Sequence, residues 1–344
     1  MLFNVEEDSG SKITGYVVPD GFSMSSTIRV CVRGDQVAIA VADERREALV
    51  LAGRHETGKC GFTIDSRLIG ALTESDDLEL FDAETNILVY RRHKHEHINK
   101  KLVRIETHLF PLWGIDAVLE KRFQYSARAI ENYGRETITQ LFLLNDINSI
   151  YLGGKILYRN YAHSIESGFE TIIVLQDPYE ELAERLLVLS KIRSVKGTII
   201  DARERAALAP VIEFAENLPI QDEKAFKRAI RRMPDNVVTH LVSPLVRQLT
   251  VAAPDDMPGG GAVAAALDVL AGATIVGDRA ESASLADALG ELLEIDANSI
   301  PRTPRFATVP PLAQFLREIR EVEAMLEADL ELYHYIQTAT KKAS

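Results

Sequence analysis

Apolar and polar positions change texture once along the chain. From about residue 12 to residue 92 they alternate over short runs. Ile28–Arg33 and Val37–Val41 are such runs, and they flank the turn dipeptide Gly34-Asp35. Alternating β-branched runs across a short glycine-containing turn predict a hairpin. Gly61–Ile64, Leu78–Phe81 and Asn86–Tyr90 add short strands, and Asp43–Val50 reads as a turn or short helix. Several short strands without long helices predict a small β-sandwich over residues 1–100.

Beyond about residue 115 the spacing becomes helical over Ala117–Asn132 and Ile147–Tyr161. Gln140–Leu144, Thr171–Leu175 and Gly197–Asp201 are short apolar runs that predict buried strands. Asp177-Pro178 is a helix start, so a helix is expected over Tyr179–Lys191. Leu208–Asn217, Glu223–Arg232, Ala262–Ala271, Leu285–Leu293 and a long acidic Leu312–Thr340 read as helices, and Thr274–Gly277 as a short strand or turn. Strands alternating with helices predict a mostly parallel sheet covered by helices over residues 101–344. The fold class is therefore α/β, with a β-rich module leading.

Between the two textures lies Arg91–Arg104, with His93, His95, His97 and six Lys/Arg residues. On an extended strand this alternation puts three imidazoles on one face, near His108. Three imidazoles can hold zinc or copper, but the surrounding cationic charge opposes a metal. The stretch reads as a solvated basic junction, with an anion site as the alternative, and no metal is expected.

Bulk composition narrows the function classes. At roughly 100–200 residues per domain, 344 residues predict two domains. A net charge of −12 argues against general nucleic-acid or anionic-membrane binding. No apolar run approaches the roughly 18 residues of a membrane span, and the acidic start lacks the pattern of a signal peptide. Cys31 and Cys60 read as buried or half-buried free thiols in a reducing compartment, which sets the expectation of a cytoplasmic protein.

Five places carry candidate chemistry. Asn145–Lys155 follows an expected strand and opens an expected helix, an arrangement that binds phosphate. Asn145, Asn148 and Ser149 would supply hydrogen bonds and Lys155 a charge, whereas Asp146 would repel. An ordinary capped helix explains the same residues. Ile172–Tyr179 delivers Gln176 and Asp177 to the carboxyl edge of a sheet, where open α/β sheets bind ligands. His163 and His240 are lone histidines, each a candidate general base or a structural residue. Pro258–Gly261 lacks the lysine and serine of a P-loop and reads as a flexible loop.

Ile172–Leu189 resembles the strand–arginine-aspartate-proline–helix segment of sulfotransferases. Ser243–Leu249 is similar to the family's asparagine/serine-proline-x-x-arginine-x-leucine segment. Val263–Leu270, Ala273–Gly277 and Ser282–Gly290 resemble its later helix–strand–helix, and Leu330–Tyr335 its closing helix. These matches run in order from about residue 137 to 340. Gly15–Asp20, Val41–Arg46 and Gly58–Phe62 resemble a small β module that accompanies glycosyltransferases and sulfotransferases of bacterial surface-polysaccharide clusters.

The resemblance implies 3′-phosphoadenosine 5′-phosphosulfate as donor and a carbohydrate acceptor; for such a transfer the base would be His163, His240 or a nearby carboxylate. It also implies that family phosphate grips fall at Asn145–Ser149, Gln176 and Glu184. Where the family has a lysine loop, an arginine and a serine, this chain has Asn145–Ser149, Gln176 and Glu184; Arg247 is retained. A doubly charged phosphate needs cations and donors, so these departures matter. Two readings follow. One is a carbohydrate sulfotransferase with an altered donor site. The other is a non-catalytic protein that binds a saccharide, a nucleotide or a partner in capsule or exopolysaccharide assembly. Oligomeric state, including a homo-oligomer through Leu312–Thr340, stays open.

Overall fold

A computed structural model describes residues 1–21, 23–70, 72–144, 147–194 and 199–343. Contacts divide the chain into two compact units. One is Met1–Val103 with Ala117–Gly153 and Ser164–Phe169, and the other is Arg104–Asp116, Gly154–His163 and Glu170–Ser344.

The first unit opens with β1 (Leu2–Asp8), β2 (Lys12–Val18), β3 (Thr27–Val32), β4 (Asp35–Val41) and β5 (Glu44–Arg45). A short α1 (Glu47–Leu51) follows, then β6 (Lys59–Asp65), β7 (Leu78–Asp82) and β8 (Leu88–Arg91). They form two four-stranded antiparallel sheets, ordered β1-β2-β6-β5 and β4-β3-β7-β8. The alternation of the strands decides what is buried. Ile13, Phe62 and Ile64 from one sheet, and Ile28, Val30, Leu78 and Leu80 from the other, are all sealed. Burying such a side chain contributes about 1.5–3 kcal/mol. The β3–β4 hairpin forms as predicted, but its turn residues are Arg33 and Gly34, both left-handed at φ 53° and 84°. That pair makes a two-residue turn of the type whose twist matches the strands. Cys31 and Cys60 are buried free thiols, and burial pushes both above the ordinary thiol range.

A five-stranded parallel sheet follows, ordered β10-β11-β9-β12-β13. Its members are β9 (Lys101–Ile105), β10 (Tyr125–Ala127), β11 (Ile150–Gly154), β12 (Glu170–Leu175) and β13 (Ile275–Asp278). The helices interleaved with these strands are α2 (Trp113–Leu119), α3 (Arg135–Phe142), α4 (Ala162–Glu166) and α5 (Pro178–Ser190). Then come α6 (Ala202–Ala207), α7 (Ala209–Glu216), α8 (Glu223–Arg231), α9 (Asp235–Leu241), α10 (Pro244–Thr250) and α11 (Ala262–Gly272). The chain closes with α12 (Ser282–Leu293), α13 (Val309–Arg317) and α14 (Arg320–Ala343). The helical core of the second unit gathers Leu182, Leu186 and Leu189 of α5 with Val211 of α7, Phe226 of α8 and Leu312 and Leu316 of α13.

Several expectations are corrected. Ala117–Asn132 is not one helix: α2 ends at Leu119 and β10 follows. Gln140–Leu144 belongs mostly to helix α3, and Ile147–Tyr161 contains strand β11. Every residue of β11 is buried, so the alternation that marks a strand is lost and its apolar spacing passes for a helix. Asp201 caps α6 rather than ending a strand; Gly197 and Thr198 of that expected strand lie outside the described residues. Leu312–Thr340 is two helices, broken after Arg317. Among the described residues no helix is long and apolar enough to cross a membrane.

Candidate functional site

The carboxyl ends of β9 and β12 carry the polar chemistry of the second unit. Asp177 follows β12 and caps α5, accepting from the amides of Tyr179 and Glu180 at 3.0 and 3.2 Å. Its neighbour Gln176 and the helix residue Glu184 are the two positions where the resemblance expects a phosphate grip. They meet each other through Arg279, which follows β13. Arg279 Nη1 donates to Gln176 Oε1 at 2.7 Å and to Glu184 Oε1 at 2.8 Å, and Nη2 donates to the Pro304 carbonyl at 2.6 Å. The Arg279 and Glu184 side chains are each 2% exposed. Burial pushes the Glu184 carboxyl up, and Arg279 works against that rise.

The other sequence candidates are engaged separately. Lys155 pairs with Glu204 at 3.1 Å. Arg247 donates to the carbonyl of Thr239 at 2.8 Å and to that of Pro254. Ser149 is buried and accepts from the Gln124 amide at 2.9 Å. Asn148 is exposed, and Asn145 lies outside the described residues together with Asp146. Because Ile150 begins a strand, no helix N-terminus stands behind Asn148 and Ser149. His163 lies exposed in α4, and His240 half-buried in the last turn of α9.

The basic junction is corrected as well. The backbone turns at residues 95–97, so His93 and His95 are exposed while His97 is buried. His97 Nδ1 accepts from the Lys94 amide at 3.0 Å. Burial, with the nearby His93, Arg91 and Lys94 charges, pushes His97 down to about 4. Arg91 binds Glu79 and the carbonyls of Glu120 and Phe123, and Arg92 grips Asp8. The stretch is tied down by half-buried Arg91 and Arg92 rather than being a solvated linker. Among the described residues no group of three or more His, Cys, Asp or Glu side chains is arranged to hold a metal.

What the sequence reading passed over lies at the end of β9. Arg104, Glu106 and His108 alternate, and on an extended chain alternate residues share a face. That pattern was the available signal. All three are buried, as is Asp116 of α2. Arg104 binds Asp116 through Nε at 3.0 Å and through Nη2 at 2.7 and 2.8 Å, and Nη1 reaches Glu106 at 2.7 Å. Glu106 also accepts from the amides of His108 and Leu112 at 3.1 and 2.7 Å, and lies 3.0 Å from His108 Nδ1. Burial works to raise the Glu106 carboxyl. The Arg104 charge, the His108 ring and the Leu112 amide outweigh it and hold the group ionised, well below the usual carboxylate range. Beside an ionised partner Nδ1 carries a proton, and Nε2 is the end of the ring left without a partner among the described residues.

His108 borders a cavity of about 20 Å³, also lined by Thr107, Gln176, Glu181, Arg185 and Asp329. Asp329 of α14 accepts from the amides of Val246 and Leu245 at 2.8 and 3.1 Å. Burial drives its carboxyl up to about 7, partly offset by those two amides. The Glu106–His108 pair can accept a proton or a hydrogen bond at Nε2. No family model, curated protein or solved structure matches this chain.

Proposed function

We propose that this chain is a non-catalytic, sulfotransferase-like protein of the cytoplasm, which binds a saccharide, a nucleotide or a partner in bacterial capsule or exopolysaccharide assembly. Arg279 carries this reading. At the two positions where a 3′-phosphate would need an arginine and a hydroxyl, Gln176 and Glu184 hold the chain's own buried arginine between them. A phosphate there would have to break a desolvated ion pair and then face the Glu184 carboxylate. Lys155 is likewise paired, with Glu204. The test is calorimetry with adenosine 3′,5′-bisphosphate. The expected result is no heat at millimolar nucleotide, which rules out donor-dependent catalysis; micromolar binding of this product favours the transferase instead.

A second reading, an active transferase on a carbohydrate hydroxyl with a remodelled site for 3′-phosphoadenosine 5′-phosphosulfate, draws on His108. Its buried Nε2, with Nδ1 held by an ionised glutamate, suits proton removal from a hydroxyl. The same titration separates the two, since that transferase must bind its nucleotide product.

A further inference from the structure

One strand of the first unit is an open edge. β4 stands at the end of its sheet and pairs with β3 alone. Ala42 donates to the Ser26 carbonyl at 2.9 Å, so the alternation of an antiparallel ladder turns the backbone groups of Ile39 and Val41 away from β3. Among the described residues neither of them makes a backbone hydrogen bond outside the sheet. Val37, Ile39 and Val41 also carry their side chains outward, 49, 53 and 54% exposed. Edge strands are usually blunted by lysine, proline or an inward-pointing charge, and residues 36–41 include none of these. The ladder with β3 slips at Val37, beside the hairpin turn, and is regular over residues 38–41.

The other end of the same sheet is covered. Leu88, Val89 and Tyr90 of β8 are buried, and Tyr125 donates to the Leu88 carbonyl at 2.9 Å. With no second edge free, copies cannot stack head to tail through this sheet; β4 can only meet β4, and the contact closes on itself. The residues flanking the strand choose the direction. Arg33 precedes it and Asp43 follows it, both are exposed, and neither side chain has an ion-pair partner among the described residues. A parallel pairing would set arginine against arginine and aspartate against aspartate. An antiparallel pairing sets the Arg33 end of each strand beside the Asp43 end of the other, twice over. It also joins the three apolar side chains of each copy into one stripe.

We propose that β4 is a dimer edge: two copies of this chain pair β4 with β4 antiparallel about a two-fold axis, and two four-stranded sheets become one. Each copy contributes a single strand of seven residues, less than a standard interface, so the dimer forms at roughly micromolar concentration. The contact owes nothing to the proposed function and stands or falls without it.

The test is sedimentation equilibrium of the full chain over about 1–200 μM. It should show a monomer–dimer equilibrium that goes no further. Ile39→Lys brings like charges together at the contact and should weaken the dimer about tenfold, with urea unfolding of the monomer unchanged because Ile39 is exposed. Arg33→Asp and Asp43→Arg should each weaken it about fivefold, since two ion pairs become two repulsions. An equimolar mixture of those two variants should dimerise as tightly as the unaltered chain, because only the mixed pair has opposite charges at both ends. Four results overturn the proposal: a monomer throughout, which leaves the edge to a different kind of partner; growth beyond the dimer; a dimer that Ile39→Lys leaves intact, which puts the contact on another face; or a mixture of the charge variants that dimerises no better than either alone. If Ile39→Lys does not fold, the charge variants decide.

Discussion

Arg104 and Arg279 are both buried almost completely in the second unit, yet they do opposite things. Arg104 meets two carboxylates, Asp116 and Glu106. One positive charge cannot neutralise both, and the remainder falls on Glu106, which orients the His108 ring. Arg279 meets one carboxylate, one amide and one carbonyl, a set whose charge balances. A buried arginine with two carboxylates leaves one of them to orient a neighbouring ring; one with a single carboxylate leaves none.

The comparison breaks most readily at Arg104. Arg104→Met leaves Glu106 and Asp116 buried without their cation and should cost about 3–5 kcal/mol in urea unfolding, or prevent folding. Arg279→Met should cost less, about 2–3 kcal/mol, because burial already biases Glu184 toward its neutral form. Equal losses at the two sites would erase the distinction drawn here.

The smallest effect sharpens it through pH. Burial raises Asp329 from its ordinary 3.8 to about 7, so the folded chain keeps a proton that the unfolded chain releases. Its contribution to stability is complete below about pH 4 and is lost as pH rises toward 7. Asp329→Asn, which like the protonated carboxyl offers one full acceptor oxygen, should cost less than about 1 kcal/mol at pH 5. It should also flatten the slope of stability between pH 4 and 7. An unchanged slope would place that titration elsewhere.

Local signals were legible in the sequence, and signals that depend on distant partners were not. The β3–β4 hairpin and the Asp177 cap of α5 are written in adjacent residues. β11 was misread because burial of all its residues removes the alternation by which strands are found. Arg104, in β9, reads as the tail of the basic stretch, and Glu106 and His108 follow the strand. Three ionisable residues in a row of alternate positions look solvated unless Asp116, twelve residues on from Arg104, is known to be beside them. Gln176 and Glu184 stood out as departures from a pattern. That they share Arg279, about a hundred residues later, had no local trace.

The sealed thiols of β3 and β6 have a use of their own. The chain has only two cysteines, and both lie in the first unit. An alkylating reagent in solution meets neither sulfur until its strand leaves the sheet. The rate of modification of the unaltered chain, divided by the rate for the denatured chain, therefore gives an opening constant for that unit. The chain carries a clock for one half of itself, and the clock is blind to the half that holds His108.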